Sequence, residues 1–180
     1  MYLRFLVTVF MLSAAPLAAQ AREIEVAAGV AAPRGALREL RESGPFVRAA
    51  IVKVDAGHAW RLRLDGQAGV FRRKPSSSLS ASRNDLRMVS AMVDLMVGLP
   101  NPNVSPYVFA GAGLQLFNTS GASGGTSSVA GFRRGLGMRL RIKRVRIVLE
   151  TASTYAFTDR GTTGDVWLVN YRPVSLGVSF

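Results

Sequence analysis

Cysteine is absent from the 180 residues, and histidine occurs once, at His58. Without cysteine the chain has no disulfide, no thiolate metal site and no cysteine nucleophile. The single histidine ends a turn sequence, Asp55–His58, where a solvated role is the ordinary one. We therefore predict no catalytic residue, no metal site and no cofactor. Long apolar runs are also missing, because no stretch approaches the roughly 18–20 residues that a membrane-spanning helix needs.

Acidic residues are few, at 11 against 23 Lys and Arg, which gives a formal net charge of +12. The basic residues are spread along the whole sequence and are not gathered on one face. This distribution disfavours a nucleic-acid surface, and we predict no nucleic-acid partner. Arginines that line an interior and surround loops beside anionic lipid headgroups account better for the charge.

The first 21 residues have the pattern of an export signal. Arg4 precedes the apolar run Phe5–Leu12, and a stretch of small residues ends at Ala19-Gln20-Ala21, which is an A-x-A cleavage pattern. We expect cleavage before Arg22. The predicted organisation is a signal peptide at 1–21 and one domain at 22–180.

Apolar and polar residues alternate with a period of two through the rest of the chain, which predicts strands. The clearest case is Ala59–Phe71, in which Leu62 and Leu64 alternate with Arg61 and Arg63. Eight strands are predicted in all: Glu23–Ala31, Phe46–Val54, Ala59–Phe71, Leu86–Leu99, Tyr107–Phe117, Gly131–Ile142, Val145–Phe157 and a last one from about Val166 to Phe180.

The predicted connections alternate between long, turn-rich segments and short ones. Up-and-down barrels whose termini lie on one side have this asymmetry. Strands cross lipid only when the sheet is closed, because every backbone amide needs a partner. The predicted fold is therefore all-β, an eight-stranded antiparallel up-and-down transmembrane barrel in which the first strand pairs with the last.

The composition of the charged face indicates that it points inward. Acids and bases occur together on that face, as a buried polar interior requires, and glycines lie between them. An eight-stranded barrel leaves an interior that side chains just fill. We predict an ion-pair network in the lumen, formed by Glu25, Arg48, Arg61, Arg63, Asp65, Asp94, Arg139, Arg141, Arg146 and Glu150.

The opposite face is apolar through most strands, and we expect it to contact lipid. Two basic residues, Lys53 and Arg172, fall on this face near the strand ends. The cost of a lipid-facing charge falls toward zero there.

The long loops carry a second set of basic residues. Guanidinium groups form bidentate contacts with phosphate, so this set is predicted to contact lipopolysaccharide; solvated loop charges are the alternative. The residues are Arg34, Arg38, Arg41, Arg72, Arg73, Lys74 and Arg83.

Three segments carry a family resemblance: Met1–Ala21, the glycine-alternating strand Pro106–Leu114, and the aromatic-ended strand Pro173–Phe180. Together they resemble the small outer-membrane β-barrel proteins with an OmpA/OmpX-like barrel domain. The resemblance implies a location in the outer membrane of a Gram-negative bacterium, in contact with lipid and lipopolysaccharide. It also implies insertion by the barrel-assembly machinery, with Phe180 as the assembly signal. Arg172 departs from the pattern, since an apolar residue is usual there.

The predicted function is a structural or surface-interaction role in the envelope, performed by a monomer that is not an enzyme. One alternative is a narrow pore for water or small ions. The other is a lipid A-modifying enzyme, whose serine chemistry would need His58 as its base.

Overall fold

The computed structural model describes residues 22–53, 59–75, 85–99, 103–119, 125–143, 145–157 and 168–180. These residues form strands and one short helix. None of the helices in this part of the chain is long and apolar enough to span a membrane. The elements are β1 (Arg22–Arg34), α1 (Leu37–Leu40), β2 (Arg41–Glu42), β3 (Gly44–Lys53), β4 (Trp60–Arg73), β5 (Leu86–Gly98), β6 (Val104–Thr119), β7 (Thr126–Ile142), β8 (Val145–Phe157) and β9 (Leu168–Ser179).

The eight long strands form a closed antiparallel barrel. Each pairs with the next along the chain, β4 pairs with β5, and β1 pairs with both β3 and β9. Ala28 lies opposite Leu176, for example, where the first long strand meets the last. The predicted eight-stranded barrel is therefore confirmed. The two-residue β2 is an addition that pairs with the end of β4.

Two strands begin three or more residues earlier than the sequence predicts. β6 starts at Val104 and so includes Pro106. β7 starts at Thr126, within a Gly- and Ser-rich segment that has the composition of a loop. The partner strand explains both extensions. Val104 pairs with Leu140, and Asn118 pairs with Thr126, so each strand continues as long as its neighbour offers backbone hydrogen bonds, whatever its local composition.

The register fixes the tilt of the strands. A line of paired residues leaves β1 at Arg22, circles the barrel and returns to β1 at Ala32, ten residues further along. Such a shear in an eight-stranded barrel gives a strand tilt of about 40° and a rise of about 2.5 Å per residue along the barrel axis. The line passes through Lys53, Leu62, Leu95, Ala110, Arg134, Ser153 and Arg172. Its step from Ser153 to Arg172 follows from the flanking pairs, Thr151 with Val174 and Thr154 with Tyr171.

The barrel has two distinguishable ends. We call the end that holds Arg22, Trp60, Val145 and Ser179 the turn end, and the end that holds Arg34, Arg73, Leu86 and Thr119 the loop end.

Apolar side chains point outward along the wall. Val93, Val108, Leu136 and Leu176 are each more than half exposed, whereas alternate residues on the same strands are buried. This alternation is the arrangement that the sequence predicts.

The short helix α1 covers the lumen at the loop end. The left-handed backbone of Gly35, with φ of 54°, turns the chain inward, and Leu37 and Leu40 are buried as a result. Both leucines belong to an apolar cluster with Phe46, Phe71, Leu86, Met88, Phe117 and Tyr171.

Candidate functional site

Eight charged side chains fill the middle of the lumen. Four are arginines and four are carboxylates, so their formal charges cancel. Each is at most 8% exposed. They come from six strands, and because every second residue of a strand points inward, all reach one centre. The members of this central cluster are Glu25, Arg48, Arg63, Asp65, Asp94, Arg133, Arg139 and Glu150.

Arg63 is the most connected member. Its Nε donates to Asp94 Oδ2 at 2.7 Å, and its Nη1 donates to Glu150 Oε2 at 2.5 Å. Nη1 also lies 3.6 Å from Glu25 Oε2. The guanidinium stacks on Phe109, with its central carbon 4.5 Å from the ring centroid. Arg63 therefore joins carboxylates from three strands.

Arg133 binds two of the carboxylates. Its Nε and Nη2 donate to the two oxygens of Asp94 at 2.8 and 2.5 Å, a bidentate arrangement of the stronger kind. Its Nη1 lies 2.9 Å from Asp65 Oδ1. Arg133 is absent from the network that the sequence predicts, although it has the same strand parity as Arg139.

Arg48 and Arg139 neutralise Glu25. Arg139 Nη2 donates to Glu25 Oε1 at 2.6 Å, and Arg48 Nη2 donates to Glu25 Oε2 at 3.3 Å. Arg48 Nη1 also donates to Glu150. The Tyr107 hydroxyl donates to Glu150 Oε2 at 2.8 Å.

Asp65 lies within 4.0 Å of Arg48, Arg63 and Arg133. Every carboxylate of the central cluster therefore lies within 4.0 Å of at least two arginines.

A smaller polar group lies at the turn end. Arg146 Nη1 donates to Glu23 Oε1, Arg61 lies 3.8 Å from the same oxygen, and Ser179 Oγ donates to Glu23 Oε2 at 3.3 Å. Arg61 and Arg146 are therefore placed apart from the central cluster. Arg141 is in neither group, because its side chain is exposed and its Nε donates to the carbonyl oxygen of Lys143 at 3.4 Å.

The loop end has a basic depression of about 760 Å³ of empty space, open to solvent. Arg72 and Arg73 are exposed nearby on β4, in register with β2, and Arg83 lies outside the described residues. Residues that line the depression include Arg34, Arg38, Arg41, Glu42 and Lys74.

Arg41 differs from its neighbours in this depression, because it is only 2% exposed. Burial lowers the pKa of its guanidinium, partly offset by the nearby charge of Asp85. The sequence predicts an exposed contact residue at this position. The structure instead turns Arg41 inward at the end of α1, where β2 pairs with β4.

Phe180 lies at the turn end with its side chain 64% exposed. Its backbone exchanges two hydrogen bonds with Ile24, at 3.0 and 3.1 Å, so it continues the pairing of β9 with β1. His58 and residues 1–21 lie outside the described residues. Among the residues that the structure describes, no group of histidine, aspartate and glutamate has the arrangement of a metal site.

No protein-family model matches the sequence, and no curated protein matches it at a significant level of similarity. Solved structures do match. Neisserial surface protein A (NspA) has a TM-score of 0.64 at 17% identity, over 88% of this chain and 95% of that one. A major outer membrane protein from Thermus thermophilus has a TM-score of 0.59 at 13% identity, over 89% and 99%.

The N-terminal β-barrel domain of Pseudomonas aeruginosa OprF has a TM-score of 0.53 at 14% identity, over 88% of this chain and 96% of that domain. At such identities the likeness concerns the fold. The chain has the fold of the small eight-stranded outer-membrane β-barrels, the OmpA/OmpX-like barrel that its sequence resembles.

Proposed function

We propose that this protein is a monomeric outer-membrane barrel of a Gram-negative bacterium, exported with residues 1–21 as its signal peptide and residues 22–180 as its barrel domain. The observation that carries the proposal is the distribution of side chains between the two faces of the sheet, apolar outside and charged inside. Apolar side chains are exposed along the wall, and eight charged side chains are buried at the centre. In water this arrangement would expose the apolar wall and bury the charges, whereas in lipid it places both favourably.

The lumen supports a structural or surface-contact role and disfavours a pore. The charge-neutral central cluster fills the middle, and the apolar cluster under α1 closes the loop end. A conducting path would have to pass both obstacles. The non-enzymatic role is supported by the same cluster, since each of its carboxylates is already engaged by arginines.

Two measurements on the refolded protein test the sealed barrel. On a gel, we expect the detergent-solubilised protein to give a band that migrates differently before and after boiling. In planar bilayers, we expect no steady conductance. A boiling-independent band would contradict the barrel. Steady single-channel openings would contradict the sealed lumen and favour the narrow pore.

The basic depression supports a contact with phosphate groups of lipopolysaccharide at the loop end. Arg34 and Arg38 are exposed there and line the same depression as Lys74. Phe180, the predicted assembly signal, lies at the turn end. Insertion with the turn end on the periplasmic side would place the loop end outside the cell. Each basic residue near an anionic surface contributes about 1 kcal/mol.

The double variant Arg34→Gln/Arg38→Gln is expected to bind lipopolysaccharide about 30-fold more weakly, since about 2 kcal/mol is lost. Affinity is measured on nanodisc-embedded protein by surface plasmon resonance. Arg141→Gln, an exposed arginine at the turn end, is the matched control and should keep the parent affinity. Equal affinity of all three proteins would rule out this contact.

A further inference from the structure

Two arginines lie on the outer wall of the barrel, among apolar residues. Arg134 on β7 pairs with Ser153 on β8, and the register of β8 with β9 places Ser153 opposite Arg172. Both arginines are exposed. Thr151 lies on the same face of β8, next to Ser153. We call Arg134, Thr151, Ser153 and Arg172 the wall patch.

The wall is indented at this patch. The wall patch borders a depression of about 850 Å³ of empty space, open to the outside. Gly135 and Ala152 also line it, and the Phe109 ring lies behind them. A Cβ at Gly135 would collide with Phe109 and with the carbonyl oxygen of Thr151. Glycine at 135 therefore lets the buried Phe109 ring pack against this part of β7 from inside the barrel.

The patch lies below the loop-end rim. Arg34 pairs with Asn170, two residues beyond Arg172 on β9. With the tilt of this barrel, Arg172 lies about 8 Å closer to the turn end than Arg34, and Arg134 lies about 6 Å closer still. The exposed apolar residues Val108, Leu136 and Val174 flank the patch.

Neither arginine has an ion pair among the described residues. Arginine facing lipid at such depth is destabilising, so an anionic occupant would remove a penalty as well as add contacts. A second copy of this chain cannot supply it from its wall, because every Asp and Glu in the described parts of the eight long strands is buried.

We propose that the wall patch binds the phosphate group of a membrane lipid whose acyl chains lie along the neighbouring apolar wall. Two strand spacings separate the Cα atoms of Arg134 and Arg172, about 10 Å. Their long side chains span this distance and place both guanidinium groups on one phosphate. Ser153, midway between them, adds a hydroxyl donor. This inference rests on the proposed membrane location.

The test is native mass spectrometry of the protein released from detergent micelles that contain phosphatidic acid or phosphatidylcholine. We expect the parent protein to retain phosphatidic acid preferentially and Arg134→Gln/Arg172→Gln to bind it at least tenfold more weakly. Arg141→Gln/Lys143→Gln, which changes two exposed basic residues at the turn end, is the matched control and should bind as the parent does. Equal retention by the parent and the wall-patch variant overturns the proposal.

A stability measurement separates loss of the ligand from damage to the fold. In phosphatidylcholine bilayers the wall-patch variant should unfold at a higher urea concentration than the parent, because two lipid-facing charges are gone. Addition of phosphatidic acid should raise the midpoint of the parent only. A lower midpoint in phosphatidylcholine overturns the proposal, and Arg134→Lys/Arg172→Lys, which keeps the charge, should retain part of the binding.

Two further results would assign the patch differently. Full competition by inorganic phosphate would show an anion site without lipid selectivity, and a dimer that the wall-patch variant loses would show a second copy as the occupant; either overturns the lipid assignment. Failure of the parent protein to show boiling-dependent migration would instead count against the proposed function.

Discussion

Replacement of Arg63 by methionine is expected to lower the free energy of unfolding by about 3–5 kcal/mol, the cost of breaking a buried charge pair by removing one partner. Methionine fills much of the volume but leaves four carboxylates facing three arginines. Asp94 and Glu150 lose hydrogen bonds of 2.7 and 2.5 Å. The measurement is urea-dependent unfolding in lipid vesicles, followed by the boiling-dependent gel shift.

A second substitution tests whether charge balance is the cause. Arg63→Met/Glu150→Gln restores equal numbers of opposite charges in the central cluster. The free energy of unfolding that the double variant loses should therefore be smaller, by about 1–3 kcal/mol, than the summed losses of the two single variants. Arg141→Met is the control, because Arg141 is exposed and outside the cluster, and it should change stability by less than about 0.5 kcal/mol. Additive losses in the double variant would show that the residues act independently.

The cluster explains how charged groups are tolerated in the lumen. A buried ion is costly unless opposite charges and hydrogen bonds compensate it. Here Asp94 is bound by both Arg63 and Arg133, and Glu25 by both Arg48 and Arg139. Because the partners come from different strands, the contacts also fix which strands face each other across the lumen.

Strand parity was enough to predict most of this arrangement. A period of two assigns each residue to one face, and the coexistence of acids and bases on one face indicated which face was inside. Glu25, Arg63 and Glu150 follow from that rule alone. Parity does not give distance along the axis, and so it could not separate the central cluster from the group around Glu23.

The loop end shows where local sequence is insufficient. Arg41 follows a short helical segment and has the composition of an exposed loop, yet it is buried because α1 places Leu37 and Leu40 in the lumen and β2 pairs with β4. These contacts join residues far apart in the sequence. A pattern read along one segment contains no information about which distant strand will cover it.

The wall patch is a related case. The sequence predicts that Arg172 lies on the lipid face near a strand end. The tilt of the barrel brings it beside Ser153 and Arg134, which belong to other strands. Only the register between strands, which depends on the closed barrel, reveals that the two arginines are neighbours.

Because the outer face of the sheet is apolar, a charge at Val93 is expected to lower stability strongly. This residue lies near the middle of β5, is 54% exposed and has apolar neighbours on both adjacent strands, Leu64 and Ala112. Val93→Arg is expected to lower the free energy of unfolding in vesicles by about 2–4 kcal/mol, because it places a charge at mid-depth in the hydrocarbon.

Position along the strand should decide the size of this penalty. Leu99 is 69% exposed just beyond the turn end of β5, so Leu99→Arg should cost only about 0–1 kcal/mol, as expected near the interface. A barrel in water would treat both arginines as ordinary surface charges and give two small, similar values. A mid-strand penalty that is at least twice the strand-end penalty therefore requires hydrocarbon around the wall, whereas equal penalties would contradict the proposed orientation of the two faces.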